Sequence, residues 1–315
     1  MKVFVAGATG AIGRQLVPRL VAAGHHVHGM TRSEDKQPML RRMGAVPVVA
    51  DALDAQQVLR AVEFAAPDVV VHQLTAIGKI DTRHMARDFA ATNLLRTTGT
   101  DNLVAAAQAL GVRRFVAQSH VSPYARNGKV PKDESDAFDP TPVREMRPNQ
   151  KSIEHLETAV LTATGMLGIV LRYGWLYGPG TSLTPGGETF ELIRRRKFPV
   201  VGDGGGVWSF VHVGDAADAT LAAIEHGRAG VYNIVDDDPA LVAHWLPALA
   251  QQLGAPRPMR VPRFVGRFFA GDAGAVMMTE LRGASNAKAK RELGWLPAHP
   301  SWRDALAQES ISRGL

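Results

Sequence analysis

Three glycines near the start of the chain have the spacing of a phosphate-binding loop. Gly7, Gly10 and Gly13 follow the β-branched and aromatic run 2–6 and precede apolar residues at helical spacing. Glycines permit a tight turn and a close approach of the backbone to a pyrophosphate, and the free N–H groups of the following helix bind the anion. We therefore expect residues 7–13 to bind a dinucleotide, with contacts from Gly7, Thr9, Gly10, Ala11, Ile12 and Gly13.

The residues after the second predicted strand bear on the choice between NAD and NADP. An acidic residue there would accept hydrogen bonds from the ribose 2′-hydroxyl. The sequence has Thr31 and Arg32 instead, and Arg32 could make charge-assisted contacts to a 2′-phosphate. The sequence therefore predicts a preference for NADP(H) over NAD(H).

Short apolar runs alternate with helical patterns through the first half of the chain. Strands are predicted at 2–6, 27–30, 46–50, 68–72, 114–118 and 169–172, with helices at 12–23, 54–66 and 90–110. This alternation predicts an α/β Rossmann-type fold, with a doubly wound parallel sheet covered on both faces. We expect a cofactor domain over 1–175, to which 207–235 returns, and a smaller, mostly helical substrate lobe over 176–206 and 236–315.

Composition excludes several classes of site and partner. The 315 residues include no cysteine, which excludes disulfides, thiolate zinc sites and iron–sulfur clusters. The net charge of +6 is scattered, so we expect a phosphorylated small ligand rather than nucleic acid. No segment has the apolar length of a membrane helix or a signal peptide, and we expect a cytoplasmic protein without a membrane partner or a metal site.

Two further segments carry predictions about burial. The acidic run 236–238 is typical of a solvated loop, whereas Phe268 and Phe269 are expected to fill the core of the lobe or to line an apolar pocket. Tyr173 and Tyr177 are predicted to lie on a loop.

Several motifs together resemble one family. They are the glycine loop, the segment Asp51-Ala52-Leu53-Asp54, Asn93 with the segment 99–103, and the segments 172–180, 210–217 and 287–295. In these the chain resembles the extended and atypical branch of the short-chain dehydrogenase/reductase superfamily, also described as NAD-dependent epimerases/dehydratases. The resemblance covers nearly the whole chain. It implies that the cofactor is lined by Asp51, Ala52, Leu53, Leu74, Thr75, Ala76, Asn93, Gln118, Lys151, Tyr173 and Leu176.

The chain departs from this family at the catalytic tyrosine. The family's Tyr-x-x-x-Lys unit places both side chains on one helix face, where the lysine charge lowers the pKa of the phenol. Lys151 matches the lysine, but the residue four positions earlier is Arg147. The family's catalytic hydroxyl aligns near His120, an imidazole that could replace tyrosine as acid or base. The candidate catalytic residues are therefore Tyr124, His120, Ser119, Ser122 and Lys151, and Tyr173 and Tyr177 are further candidate acids.

These residues predict an NADP(H)-dependent oxidoreductase that acts on a small carbonyl or alcohol substrate. Two alternatives stay open. One is a nucleotide-sugar epimerase or dehydratase, and the other is a non-catalytic NADP(H)-binding sensor or partner-binding protein, which the missing tyrosine favours. By analogy with the family, the chain could form a homodimer.

Overall fold

A seven-stranded parallel sheet forms the centre of the molecule. The structure is a computed structural model that describes residues 1–303. The central strands are β1 (Lys2–Ala6), β2 (His26–Thr31), β3 (Val46–Val49), β4 (Val69–His72), β5 (Arg114–His120), β6 (Leu167–Tyr173) and, later in the chain, β11 (Gly230–Ile234). Their order across the sheet is β11-β6-β5-β4-β1-β2-β3. The predicted α/β class and its parallel sheet are confirmed.

The register follows from burial on both faces. Val5 of β1 pairs with Gly29 of β2 and with Val71 of β4, and every residue of β4 is buried. The chain leaves β1 toward β2 and β3 and later returns to β4 on the other side of β1. Ligands of such sheets bind outside the carboxyl ends of the strands at this reversal, which is where the glycine loop begins.

Twelve α-helices cover the sheet and build the lobe within residues 1–303. They are α1 (Ala11–Ala22), α2 (Gln37–Arg42), α3 (Ala55–Ala65), α4 (Met85–Asp88), α5 (Ala90–Leu94), α6 (Thr100–Ala109), α7 (Arg147–Leu161), α8 (Glu188–Arg194), α9 (Val213–His226), α10 (Val242–Gln252), α11 (Arg263–Thr279) and α12 (Ala287–Leu293). Short 3₁₀ turns lie at Glu34–Lys36 and Thr82–His84.

The helix predicted over 90–110 is not a single α-helix. A π-helical turn at Leu95–Gly99 separates α5 from α6. The Thr97 hydroxyl donates to the carbonyl of Asn93, four residues back. A π-turn holds one more residue per turn than an α-helix, so it changes which side chains face inward.

The lobe has its own apolar core beside the sheet. Its short strands are β7 (Trp175–Tyr177), β8 (Val200–Val201), β9 (Val207–Trp208), β10 (Phe210–His212), β12 (Ala240–Leu241) and β13 (Arg260–Val261), paired β7 with β10, β9 with β12 and β8 with β13. Trp175 stacks on Trp208 with ring centroids 4.4 Å apart. Trp245 and Trp302 are fully buried in the same core.

Two local predictions are wrong because long-range contacts decide them, and a third is wrong in part. Tyr173 and Tyr177 end β6 and β7 rather than lying on a loop, since each strand pairs with a partner from later in the chain. Asp236 is only 1% exposed, because its carboxylate accepts the backbone N–H groups of Asp238 and Trp302. Phe268 and Phe269 are 79% and 67% exposed, so they do not fill the core of the lobe, and the alternative that they line an apolar pocket stays a prediction.

None of the helices within residues 1–303 has the length and apolar character needed to cross a membrane.

Candidate functional site

The glycine loop has the geometry that an anion needs. Gly7 has φ +92°, and a Cβ at this position would lie 2.6 Å from the carbonyl oxygen of Gln73. A Cβ at Gly13 would lie 2.6 Å from the carbonyl carbon of Ala8. Gly10 precedes α1 and makes no side-chain cap, so the first N–H groups of α1 have no acceptor within the helix. This helix end can therefore receive a phosphate.

The loop after β7 closes over the same helix end. A Cβ at Gly180 would be 3.9 Å from the Cβ of Ala11. Leu176 of β7 is half-buried against the core cluster under α1. The predicted pyrophosphate site is thus bounded by residues 7–13 on one side and by residues 178–180 on the other.

The adenine end of the predicted cofactor site is formed after β2 and β3. Thr31 is buried, and its hydroxyl accepts the N–H of Ser33 at 3.2 Å. Arg32 is exposed. Asp51 accepts the N–H of Leu53, and Ala52 accepts a hydrogen bond from Asn102, so this loop is held in place by its own contacts.

The predicted nicotinamide end of the cofactor site lies after β4 and β5. The Gln118 side chain donates to the carbonyl of Leu74 at 2.8 Å. The N–H of Ala76 donates to the Thr92 hydroxyl at 3.0 Å, while Thr75 is exposed. The side chain of Asn93 accepts a hydrogen bond from Ser152 of α7 at 2.9 Å.

His120 lies at the carboxyl end of β5 as a neutral imidazole. Its Nδ1 accepts the N–H of Ser122 at 3.0 Å, so the ring proton resides on Nε2. Burial and the positive charge of Arg96 lower the pKa of His120 to about 3. The ring contacts Trp175 edge-on, with centroids 4.7 Å apart. His120 can therefore donate a hydrogen bond from Nε2, and its imidazole is uncharged near neutral pH.

Ser119 and Tyr124 belong to a buried network beneath this site. Ser119 donates to Glu157 at 2.6 Å, and Arg172 forms a bidentate ion pair with Glu157 at 2.8 and 2.6 Å. The Tyr124 hydroxyl receives a hydrogen bond from Arg172 at 2.9 Å and donates to Asn233 at 2.7 Å. Burial raises the pKa of Tyr124 to about 12. These contacts hold both hydroxyl groups within the protein.

Ser122 has a different setting from Ser119. It is half-buried and lines a small cavity together with Tyr124, Trp175, Ser209 and Arg282. The structure thus brings His120, Ser122 and Trp175 together at one edge of the lobe.

The other tyrosines are also buried. The Tyr173 hydroxyl bonds to Gln73 at 2.9 Å and to Thr220 at 2.7 Å, and burial raises the pKa of Tyr173 to about 12. Tyr232 donates to a backbone carbonyl at 3.1 Å. Tyr177 is fully buried beside His212. None of the four tyrosines within residues 1–303 is more than 4% exposed.

Lys151 and Arg147 lie on exposed positions of α7. Lys151 lines an outer groove with Glu154, His155, Thr158 and Ala159. Arg147 donates to the carbonyl of Pro142 at 3.1 Å. The inward positions of this helix belong instead to Asn149, Gln150 and Ser152, which are buried. The structure does not group Lys151 with His120, and its predicted role in cofactor binding stays a prediction.

Sequence reasoning missed two features. One is Arg96, a buried cation in the π-turn, for which the local sequence pattern gave no signal. The other is the group His212, Asp215 and His299, whose potential ligand atoms lie within 4.8 Å of one another. His212 accepts the N–H of Gly214, and Asp215 accepts the N–H groups of Ala298 and His299, so these side chains join the segment 298–299 to the start of α9.

Comparison with known proteins places this geometry among nucleotide-cofactor enzymes. The chain is 44% identical to the 3-diazoavenalumate denitrifying reductase of a Streptomyces species, over 98% of this chain and 100% of that one. It is 30% identical to the 2-alkyl-3-oxoalkanoate reductase of Stenotrophomonas maltophilia, over 82% of this chain and 77% of that one. The UDP-glucose 4-epimerase of Thermus thermophilus in complex with NAD superposes with a TM-score of 0.73 at 25% identity, over 100% of this chain and 99% of that one.

The family model named NAD dependent epimerase/dehydratase matches residues 3–235, which contain the glycine loop, β5 with His120, and β11. The relatives and the fold agree with an enzyme that uses NAD(P) for oxidoreduction or epimerisation. The chain belongs to the NAD-dependent epimerase/dehydratase family.

Proposed function

We propose that this protein is an NADP(H)-dependent reductase that delivers hydride to a small carbonyl substrate held beside His120. The observation that carries the proposal is the position of a neutral imidazole at the same edge of the sheet as the glycine loop. His120 ends β5, and the loop follows β1, two strands away. Both lie where doubly wound sheets bind their ligands.

In this function the chain's own residues bind the cofactor, orient the substrate and polarise its carbonyl group. The N-terminus of α1 would hold the pyrophosphate, and the bound nicotinamide would supply hydride to the carbonyl carbon. The Nε2–H of His120 donates to the carbonyl oxygen, which becomes an alkoxide and takes its proton from water. A neutral imidazole that stabilises a developing oxyanion is an established role for histidine. Trp175 packs edge-on against the His120 ring.

Arg32 supports the choice of NADP(H). It is exposed after β2, where an acidic residue would select NAD, and Thr31 beside it carries no charge. A fluorescence titration of NADPH and NADH tests this part of the proposal. We expect NADPH to bind more tightly, and Arg32→Ala to weaken NADPH roughly 10-fold or more while leaving NADH unchanged. Tighter binding of NADH by the wild-type protein would contradict the preference.

A second candidate substrate carries a diazo group. It is favoured by Arg147 at the tyrosine position and by the buried tyrosine hydroxyls, because no phenol is placed to donate a proton. On a diazonium substrate, hydride supplies the electron pair of a new C–H bond, and N₂ leaves with the electron pair of the C–N bond. This reaction consumes no proton, and the relative at 44% identity is named for a diazo compound.

One assay separates these functions. NADPH oxidation is followed with 3-oxo acids, aldehydes and ketones in one set and with arenediazonium acids in the other, and release of N₂ is measured in the second set. Turnover of a carbonyl compound supports the first candidate, and release of N₂ with formation of the arene supports the second. Tight binding of NADPH without turnover of either set would contradict both and favour a cofactor-binding sensor.

A further inference from the structure

Arg96 is a buried cation that lacks an acidic partner. Its residue is 5% exposed, and its Nη1 donates to the side-chain oxygen of Asn149 at 2.5 Å. Its Nε is buried without a hydrogen-bond acceptor. Within residues 1–303 no carboxylate oxygen comes within ion-pair distance of this guanidinium, whereas the similarly buried Arg172 is paired with Glu157.

A guanidinium in this setting is suited to bind an anion. Burying an ionised group is costly unless an opposite charge and hydrogen bonds replace its water. One amide oxygen satisfies one of the five donors of Arg96. The fork of the guanidinium matches the two oxygens of a carboxylate.

The π-turn directs Arg96 toward the candidate site. In the turn Leu95–Gly99, only Arg96 and Gly99 are buried. Asn149, its partner, lies on the inward face of α7, where Ser152 also bonds to Asn93. Thr100, which follows the π-turn, bonds to His72 at the end of β4 at 3.1 Å. Burial lowers the pKa of both His72 and His120, and the charge of Arg96 lowers both further. π-Turns are rare and occur frequently at functional sites.

We propose that Arg96 binds the carboxylate of the substrate and thereby selects a small organic acid for the site beside His120. The inference rests on the proposed function, which places the substrate there. It adds that the substrate is anionic and that its charge is held from the α7 side of the site, away from the N-terminus of α1 where the pyrophosphate is expected.

Benzoate and benzamide test this proposal, because they have similar shapes and differ in charge. Each is titrated by calorimetry into the protein saturated with NADP⁺. We expect benzoate to bind roughly 10- to 100-fold more tightly than benzamide, as for a hydrogen-bonded charge pair. Arg96→Met should abolish this difference, and Arg96→Lys should retain part of it.

The controls separate this inference from the proposed function. Arg60→Met, on the exposed side of α3, should leave both titrations unchanged. The affinity for NADPH should be unchanged in every variant, and thermal unfolding confirms that each is folded.

Three outcomes would overturn the inference: the wild-type protein binds benzoate and benzamide equally, it binds neither, or Arg96→Met keeps the preference for benzoate. A loss of NADPH affinity in Arg96→Met would overturn it as well, because Arg96 would then serve the cofactor. A wild-type protein that fails to bind NADPH refutes the proposed function, and the same benzoate criterion is then applied to the free protein.

Discussion

The ion pair between Glu157 and Arg172 should dominate the stability of the layer beneath the site. Both side chains are 8% exposed, and Glu157 accepts two hydrogen bonds from Arg172 and one from Ser119, at 2.6 to 2.8 Å. Glu157→Gln keeps the shape of the side chain but leaves the guanidinium without its counter-charge. Breaking a buried pair by removing one partner costs about 3 to 5 kcal/mol.

The thermal midpoint measures this cost. At roughly 2 °C per kcal/mol for a chain of this size, the midpoint of Glu157→Gln should fall by about 6 to 10 °C. The matched control is Glu191→Gln, whose pair with Arg194 on α8 is half-exposed and should contribute less than about 1 kcal/mol.

A double variant tests whether the loss comes from the stranded charge. Glu157→Leu combined with Arg172→Met removes both charges and should recover much of the stability, because a buried pair contributes little more than apolar residues of similar volume. If Glu157→Gln lowers the midpoint no more than Glu191→Gln does, the reasoning about the buried guanidinium is wrong.

Three further predictions concern the cofactor loop, the imidazole and the acidic loop. Gly13→Ala should weaken NADPH binding at least ~10-fold in a fluorescence titration, because its Cβ would meet the Ala8 backbone at 2.6 Å. Gly78→Ala, which has open space around it, should leave NADPH binding unchanged. Equal affinities of the two variants would contradict this prediction. His120→Ala should slow hydride transfer by roughly 10²- to 10³-fold in single turnovers. The wild-type rate should not change through titration of this imidazole between about pH 5 and 9, because a pKa of about 3 leaves the ring neutral throughout. A change in the wild-type rate near pH 6.5 that is absent from His120→Ala would refute the neutral form. Burial raises the pKa of Asp236 from 3.8 to about 8, so the folded protein binds more protons than the unfolded chain between these values, and its stability should fall as the pH rises from about 4 to 8. Melting curves of Asp236→Asn should lack this pH-dependent loss of stability. Identical pH profiles for both proteins would contradict the prediction.

Much of the fold could be predicted from local pattern. Strands β1 to β6 lie within three residues of their predicted bounds, because a parallel sheet buried on both faces needs continuous apolar runs. The division of the helix after β4 into α5, a π-turn and α6 could not be predicted in the same way. An extra residue in a helical turn leaves the apolar pattern almost unchanged, and only packing against α7 shows that Arg96 faces inward.

For the candidate site, too, part could be predicted from the sequence and part could not. The sequence by itself determined that a glycine loop at residues 7–13 follows a strand and precedes a helix, and that Arg147 stands where the family has its tyrosine. It also proposed Tyr124 or His120 to manage the proton, Ser119 or Ser122 to orient the substrate oxygen and Lys151 to bind the cofactor, without deciding among them.

Only the tertiary structure decided which of these groups are already bonded. Ser119 and Tyr124 are held by Glu157, Arg172 and Asn233, partners that lie 38 to 109 residues away in the chain. Lys151 faces the outer surface of α7, and Arg96 faces inward without an acid. Burial and hydrogen bonding depend on residues distant in sequence, so the types and spacing of side chains can identify possible chemistry, but the packed fold determines which groups remain able to perform it.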